Sequence, residues 1–445
     1  MKTKILLSLV LMSTLVFPFL VSHSWAQSNP RYIPLPAGVK GALYTPNAGP
    51  APHVGILVTH RTSNVLSSLP CTELSTRGYM VLCMNPRFDN NEALVSWETI
   101  ALDVRSGVDF LRRQPGITKV LLLGGSGGGP TMSYYQAVAE KGPSYCQGPN
   151  KLVQCGNNLA GLPPADGIIF RDAHPGNPVN ALRALNPAVV NERRPDRLNP
   201  RLDPFNPENG YNPNGPSTYS EQFKKRYSEA QAERMNKLID EALEISRRIA
   251  EGSHRFPDND AFVIGRAGAS QAGGGSAANL FELDLSIFHS TVNPQKLVKN
   301  DGTIVRQIVE SVRVPDLAIA EESATFDEGA KLLTISSFLS ANAIRATDSL
   351  DYNQIDWCSS NNSTPCALQN ISVPILIGAM GGHYFIRDNE FHYEVAASAD
   401  KDFVVIEGAT HGITPCTDCE QFPGQYSNTV KNFFDYIAAW VNARF

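Results

Sequence analysis

The stretch Lys119-Val-Leu-Leu-Leu-Gly-Gly-Ser-Gly-Gly-Gly-Pro-Thr-Met132 is the one around which the rest of the chain can be interpreted. Its apolar run predicts a buried strand over 120–123, and residues 131–140 are predicted to form a helix. Between them stands Ser126 with glycine at the −2 and +2 positions, which is the G-x-S-x-G pattern of a nucleophile elbow. Glycine suits both positions because only a residue without Cβ lets strand and helix approach closely enough to expose the serine hydroxyl.

Two other glycine-rich motifs do not fit this turn. A phosphate-binding P-loop needs Lys followed by Ser or Thr after its last glycine, whereas Pro130-Thr131 stands there. The dinucleotide fingerprint G-x-G-x-x-G, counted from Gly125 and Gly127, reaches Pro130 where its third glycine is required. The remaining alternative to a nucleophile elbow is a strand-to-helix turn without chemistry.

The first 26 residues have the features of a secretory signal peptide. Two lysines give a basic start, residues 5–21 form an apolar core, and Ser-Trp-Ala ending at residue 26 is a small-x-small cleavage site. Pro18 interrupts the apolar core and no stop-transfer segment follows, which disfavours a stable membrane anchor. We therefore expect a secreted or periplasmic protein.

The eight cysteines all follow this signal, and their even number predicts disulfides in a protein that leaves the reducing cytosol. Cys146 with Cys155 and Cys358 with Cys366 each bracket a polar loop and are predicted as local pairs. A second Cys-x-x-Cys and a helical histidine pair are both missing, so zinc is disfavoured, and we predict no metal and no cofactor. The pairing of four others stays open: Cys71, Cys83, Cys416 and Cys419.

The charge balance also limits the choice of partners. The 445-residue chain is mildly acidic, with a formal net charge of −5. It shows no cluster of basic residues of the kind that binds nucleic acid, so nucleic acid is not an expected partner.

Strands and helices alternate on both sides of the elbow. Apolar runs at 54–60, 79–84 and 167–170 predict buried strands, and apolar residues at helical spacing predict a helix from Trp97 to Leu111. This alternation predicts a parallel sheet covered on both faces, whose ligands bind beyond the carboxyl ends of the strands. The polar residues at those ends are His60-Arg61-Thr62, Arg87 to Asn91, Ser126 and Arg171-Asp172-Ala173-His174.

The alternation stops between residues 175 and 350. This block contains many prolines, a long predicted helix over 218–252 and a Gly/Ala/Ser tract at 271–278. The sheet pattern then resumes and ends in an amphipathic helix. The domain organisation predicted is a signal peptide at 1–26, a first core part at 27–174, a cap insertion at 175–350 and a second core part at 351–445.

The order of nucleophile, acid and histidine along the chain resembles the α/β-hydrolase fold. The resemblance covers 54–174 and 373–445 and rests on Gly-Gly-Ser126-Gly-Gly, the strand-end His60 and Gly-Ala-Thr-His411-Gly after the last strand. It implies a mostly parallel central sheet flanked by helices, with a large helical and irregular cap insertion. It also implies a serine hydrolase similar to esterases and lipases.

By this resemblance Ser126 is the nucleophile and His411 the general base that activates it. The oxyanion hole is expected to use the backbone N–H of Gly127 and a second backbone N–H from Arg61 or Thr62. An alternative directs the side chain of Arg61 at an acidic substrate group. No role is assigned to His53, His254, His289 or His392.

The acid of the triad is where the sequence departs from the family. The family usually places an aspartate after the penultimate strand, but here that loop reads Gly378-Ala-Met-Gly-Gly-His383, without a carboxylate. Either the acid lies one strand earlier, at Asp172, or Asp388 or Glu390 reaches back from a re-routed loop. We favour Asp172 because it follows a strand directly.

The function that these predictions imply is cleavage of a small-molecule carboxylic ester through an acyl-enzyme. The same machinery would serve an amide, lactone or thioester. The alternative from another class is a non-catalytic ligand-binding protein on the same fold. Neither the substrate nor the oligomeric state is predicted.

Overall fold

The computed structural model describes residues 30–267, 280–314 and 330–445. The predicted signal peptide and the Gly/Ala/Ser tract lie outside these ranges. The strands are β1 Arg31–Pro34, β2 Lys40–Tyr44, β3 Val54–Thr59, β4 Met80–Asn85, β5 Lys119–Gly125, β6 Gly167–Arg171, β7 Ala261–Gly265, β8 Gln295–Val298, β9 Ile304–Gln307, β10 Ala330–Thr334, β11 Ile375–Met380 and β12 Lys401–Ile406.

Helices cover the central sheet that most of these strands form, and they make up much of the region outside it. They are α1 Leu69–Thr76, α2 Trp97–Arg112, α3 Gly128–Lys141, α4 Asn177–Ala184, α5 Glu221–Ala250, α6 Leu280–Leu283, α7 Ile335–Ser337, α8 Thr364–Leu368, α9 Ile386–Val395 and α10 Thr429–Asn442. Within the described ranges, none of these helices has the length and apolar character needed to cross a membrane.

The central sheet is mostly parallel. Its strand order is β1-β2-β4-β3-β5-β6-β11-β12-β8-β9. Every neighbouring pair from β4 to β8 is parallel, and the pairs at the two edges are antiparallel. Strands β3, β4 and β11 are buried along their whole length, as expected for strands covered on both faces. The predicted fold class, the α/β-hydrolase fold, is confirmed.

Two apolar layers hold the helices to the sheet. On one face α2 and α3 pack through residues such as Trp97 and Tyr134. On the other face α1 and α10 pack through residues such as Leu74 and Phe433. In α2 the apolar residues recur at helical spacing, so they form one apolar stripe that faces the sheet. The strand that precedes Ser126 therefore lies in the middle of a sheet that is covered on both faces.

The block from 175 to 350 requires a correction, because part of it belongs to the sheet. Strand β8 pairs in parallel with β12, and β9 continues the same edge. The sequence reasoning missed both because each has only four residues and β9 is exposed, so neither shows a long apolar run. The rest of the block includes α4, α5 and the two-stranded antiparallel sheet of β7 and β10, which share a separate apolar cluster.

The long helix of this block begins later than residue 218, where the sequence predicts its start. The side chain of Ser220, rather than that of Thr218, accepts a hydrogen bond from the N–H of Phe223. Helix α5 therefore starts at Glu221 and runs to Ala250.

Four disulfides account for the eight cysteines of the chain. The predicted pairs Cys146–Cys155 and Cys358–Cys366 are confirmed. The four cysteines that the sequence left open form Cys71–Cys83 and Cys416–Cys419. The Cys-x-x-Cys pair is thus a short disulfide loop that follows His411 in the chain.

Candidate active site

Ser126 lies at a sharp turn between β5 and α3. Its φ angle is +52°, in the left-handed region that residues with a side chain seldom adopt. Its N–H donates to the carbonyl of Arg171 at 3.1 Å, which ties the turn to the end of β6. A serine held in this conformation between a strand and a helix has the geometry of a nucleophile elbow.

The glycines two residues before and after Ser126 are needed for close backbone contact. A Cβ on Gly124 would lie 2.3 Å from the carbonyl oxygen of Gly128. A Cβ on Gly128 would lie 2.3 Å from the carbonyl oxygen of Thr59 on β3. The predicted reason for the G-x-S-x-G spacing, that strand and helix must approach closely, is therefore confirmed.

The two glycines directly beside Ser126 have a different neighbour. A Cβ on Gly125 would lie 2.2 Å from Nε of Arg171, and a Cβ on Gly127 would lie 1.9 Å from Nη1 of Arg61. One guanidinium group thus packs against each side of the elbow. The sequence reasoning explained only the outer two glycines, because the approach of these arginines depends on three separate strand ends.

Asp172 and His411 form the shortest polar contact of the site. Oδ2 of Asp172 lies 2.6 Å from Nδ1 of His411, and Oδ1 accepts the N–H of Met380 at 3.2 Å. Asp172 is fully buried and has a φ angle of +44°. Burial alone would raise its pKa, but the charges of His383 and His411 and the hydrogen bond of His411 hold the pKa below its ordinary value. The carboxyl group is therefore ionised at neutral pH.

His383 is a member of the site that the sequence reasoning did not assign. Its Nδ1 lies 2.7 Å from the same Oδ2 of Asp172, without the alignment of a hydrogen bond. Its ring centroid is 4.4 Å from that of His411. Burial lowers the pKa of His383 to about 4, so the imidazole is neutral at pH 7. The sequence feature that could have identified His383 is its position, since it ends the loop in which the α/β-hydrolase family usually carries the acid.

The same three side chains could offer ligands to a metal ion. One donor atom each from Asp172, His383 and His411 lies within 4.8 Å of the others. The prediction of no metal rested on cysteine and helical histidine spacing, which cannot detect donors brought together from three loops. The Asp172–His411 hydrogen bond is also the arrangement of a catalytic acid and base.

The two other candidate acids are engaged elsewhere. Asp388 is buried and accepts hydrogen bonds from Arg183, at 3.0 Å, and from the hydroxyl of Tyr352, at 2.6 Å. Glu390 accepts the backbone N–H groups of Val292 and Asn293. Each carboxylate therefore has a local structural partner, and of the three candidates Asp172 is the one that contacts His411.

Arg171 connects the nucleophile turn to the histidine loop. Its carbonyl accepts the N–H of Ser126, and its Nη1 donates to the carbonyl of His411 at 2.9 Å. In the described part of the chain the hydroxyl of Ser126 has no hydrogen-bond partner. We therefore propose that a proton passes from Ser126 to His411. The contacts of Arg171 with both residues support this proposal, because they hold the two residues at the same edge of the sheet.

The predicted oxyanion donors need one correction. The N–H of Thr62 donates to Nδ1 of His60 at 3.1 Å, so this group is occupied within its own loop. The alternative role for Arg61, as a partner for an acidic substrate group, is also disfavoured. Its buried guanidinium already forms an ion pair with Glu92, with an Nε–Oε1 distance of 2.7 Å.

Buried neutral histidines make the stability of the fold sensitive to acid. Burial lowers the pKa of both His383 and His392 to about 4, against about 6.5 in an unfolded chain. The unfolded state therefore binds more protons below pH 6.5, and stability should fall between pH 6.5 and 4. We expect the free energy of unfolding, measured in urea, to be roughly 2–3 kcal/mol lower per histidine at pH 4.5 than at pH 7.

The variant His392→Leu isolates one of these contributions. Neither ring nitrogen of the fully buried His392 has a hydrogen-bond partner within the described residues, so leucine removes the titration without removing a bond. In this variant the free energy of unfolding should fall less between pH 7 and pH 4.5, by about the contribution of one histidine. An unchanged pH dependence would contradict this assignment. Asp172 does not contribute in this range, since a lowered carboxyl pKa weakens the fold only at more acidic pH.

Comparisons with known proteins give matches among solved structures. No family model matches the chain, and no curated protein matches it. Among solved structures, DcsB in complex with a substrate analogue is 11% identical, with a TM-score of 0.45, and the match covers 94% of this chain and 98% of that one. The α/β hydrolase GrgF from Penicillium sp. sh18 is 10% identical, with a TM-score of 0.42 and coverage of 93% and 97%.

A proline iminopeptidase from Mycobacterium smegmatis is 11% identical, with a TM-score of 0.38 and coverage of 93% of this chain and 98% of that one. Likenesses at this distance carry no argument about activity, which has to come from the site itself.

Proposed function

We propose that this protein is a serine hydrolase that cleaves a carboxylic ester through an acyl-enzyme. The observation that carries the proposal is the 2.6 Å hydrogen bond between Asp172 and His411, at the same sheet edge as a serine held at a left-handed φ angle between strand and helix. A serine hydroxyl needs a base to remove its proton, and that base needs a third group to orient it. Ser126, His411 and Asp172 supply these three functions.

The hydrogen bond to Asp172 decides which nitrogen of His411 acts as the base. Ionised Asp172 can only accept, so Nδ1 of His411 carries a proton and Nε2 keeps its lone pair. Nε2 removes the proton as the oxygen of Ser126 bonds to the ester carbon, and it then gives that proton to the leaving alcohol. Water attacks the acyl-enzyme in the second half, with His411 again as base. The N–H of Gly127 and the backbone N–H of Arg61 are the proposed oxyanion donors.

We also propose that part of the 175–350 block covers the site and selects the substrate. Helix α4 begins directly beside it, where Oδ1 of Asn177 accepts a hydrogen bond from Nη2 of Arg61 at 3.1 Å. The cluster shared by α4, α5 and the two-stranded sheet of β7 and β10 is then the body of this cover. The proposed location is secreted or periplasmic, which the predicted signal peptide and the four disulfides support.

The alternatives differ from this proposal in defined ways. An amide, lactone or thioester hydrolase would use the same three residues on another bond. A ligand-binding protein on the same fold would need neither an active serine nor a base. The contact between Asp172 and His411 favours a hydrolase, because a binding protein has no use for an oriented base.

A fluorophosphonate probe tests the proposal directly, since it reacts covalently with an activated serine. We expect the folded, mature protein to be labelled at pH 7–8, and protein unfolded in urea to remain unlabelled. The same preparation should hydrolyse at least one member of a panel of esters of graded acyl length, with matched amides and thioesters alongside. If the folded protein is neither labelled nor active on any member of the panel, the ligand-binding alternative is correct.

A further inference from the structure

The absence of a side chain at Gly127 creates a space that two other residues fill. A Cβ at this position would lie 1.9 Å from Nη1 of Arg61 and 2.7 Å from Nε2 of His60. Gly127 directly follows the nucleophile, and its N–H is the elbow's own oxyanion donor. Two further nitrogen atoms therefore converge on the residue that would hold the negatively charged oxygen of the tetrahedral intermediate.

The tautomer of His60 is fixed by its backbone contacts. Its Nδ1 accepts the N–H groups of Thr62, at 3.1 Å, and Ser63, at 2.9 Å. Burial, followed by the charges of Arg61 and Arg171, lowers the pKa of His60 well below its ordinary value. A neutral imidazole has one N–H, and because Nδ1 is an acceptor that proton is on Nε2. The nitrogen that faces Gly127 is therefore a hydrogen-bond donor.

The guanidinium of Arg61 is anchored at two of its three nitrogens. Nε donates to Glu92 at 2.7 Å, and Nη2 donates to Asn177 at 3.1 Å. The third nitrogen, Nη1, has only a contact of 3.5 Å with Nε2 of His174, at the limit of hydrogen-bond distance. The residue is 2% exposed, so its guanidinium group is enclosed by protein. The weakly engaged Nη1 is thus fixed beside Gly127.

We propose that His60 Nε2–H and Arg61 Nη1–H are side-chain donors of the oxyanion hole, acting with the backbone N–H of Gly127. These side-chain donors add to the backbone N–H of Arg61, the second donor proposed above, since the N–H of Thr62 is bonded to His60. Fixed donors in a buried site stabilise developing charge without having to reorganise. The inference rests on the proposed function, because it assigns the groups that hold the oxygen formed when Ser126 attacks.

The substitution Arg61→Lys tests the arginine donor. Lysine keeps a buried positive charge opposite Glu92, but its single nitrogen cannot also occupy the position of Nη1. We expect kcat to fall by about 10²–10³-fold, with KM changed far less. Affinity for a boronic acid that mimics the tetrahedral intermediate should fall in parallel, while affinity for the product carboxylate should not. A purely structural role would not separate these two ligands.

Two further variants protect the test against misfolding. Arg61→Met combined with Glu92→Gln removes both partners of the buried ion pair, and Glu92→Gln alone is its matched control, because glutamine still accepts from Nε. Gly127→Ala keeps the backbone N–H but places a methyl group where the two donors lie. It should also lower kcat and the boronic acid affinity.

The outcome separates this inference from the proposed function. If Arg61→Lys and Gly127→Ala fold normally and keep the wild-type kcat and boronic acid affinity, the side-chain donors are refuted, even though hydrolysis still requires Ser126. If hydrolysis does not require Ser126, the proposed function itself fails. If the folded Arg61→Met/Glu92→Gln protein matches the Glu92→Gln control in both measurements, Arg61 is not a donor.

Discussion

Replacement of Ser126 by alanine should abolish hydrolysis and labelling by the fluorophosphonate while leaving the protein folded. Loss of the nucleophile alone costs on the order of 10⁶-fold in kcat in serine hydrolases that use a complete triad. Alanine has the smallest side chain with a Cβ, so it places no new atom in the turn that holds residue 126 at a φ of +52°. The measurements are kcat on the best ester of the panel and the melting temperature.

Ser133→Ala is the matched control for this variant. Ser133 is a buried serine of α3, and its hydroxyl donates to the carbonyl of Pro130 at 3.2 Å. Its loss removes a similar hydroxyl from the same helix without touching the elbow, so kcat should remain near the wild-type value. Hydrolysis by Ser126→Ala at a rate close to that of this control would remove the central claim.

Asp172→Asn should lower kcat by up to about 10⁴-fold, with a smaller effect on the fold. The amide of asparagine has almost the size of the carboxylate but can donate to Nδ1 of His411. That contact would favour the wrong tautomer, with the proton on Nε2, and would remove the charge that stabilises the imidazolium. The rate should be measured at several pH values. If the substitution only shifted the pH optimum, kcat would return to the wild-type value at another pH.

The other candidate acids provide the comparison. Asp388→Asn weakens a buried contact with Arg183, and Glu390→Gln weakens contacts with backbone N–H groups. Both should lower the melting temperature more than they lower kcat. A near-normal rate in Asp172→Asn together with a collapse in Asp388→Asn would move the acid to α9.

The parts of the fold that could be predicted are those in which burial leaves a pattern along the chain. Strands β3, β4, β5 and β11 are covered on both faces, so each is a nearly continuous apolar run. Strands β8 and β9 lie at an edge, are short, and carry polar or exposed residues, so no local pattern distinguishes them from a loop. Their place in the sheet is decided by pairing with β12, which is a tertiary contact.

The candidate site could likewise be predicted only where a residue is marked by its neighbours in the sequence. Ser126 is marked by its glycines, and Asp172 and His411 by their positions after strands. His383 shares the carboxylate of Asp172 at 2.7 Å, but the two residues follow different strands, and their sequence neighbours say nothing about this distance. The same holds for Arg61 and Arg171, whose approach to the elbow depends on how β3, β5 and β6 end beside one another.

The packing of guanidinium groups against Gly125 and Gly127 sets a rule for how sequences of this kind can diverge. A side chain at position 125 or 127 cannot coexist with the arginine that now packs there, because both would need the same volume. A chain with alanine at 127 has to shorten residue 61, and one with alanine at 125 has to shorten residue 171. Positions 125 and 171, like positions 127 and 61, are therefore expected to change as pairs among natural relatives. A search for relatives that requires only G-x-S-x-G will miss this coupling, whereas one that requires both pairs will select chains with the same arginine-flanked serine.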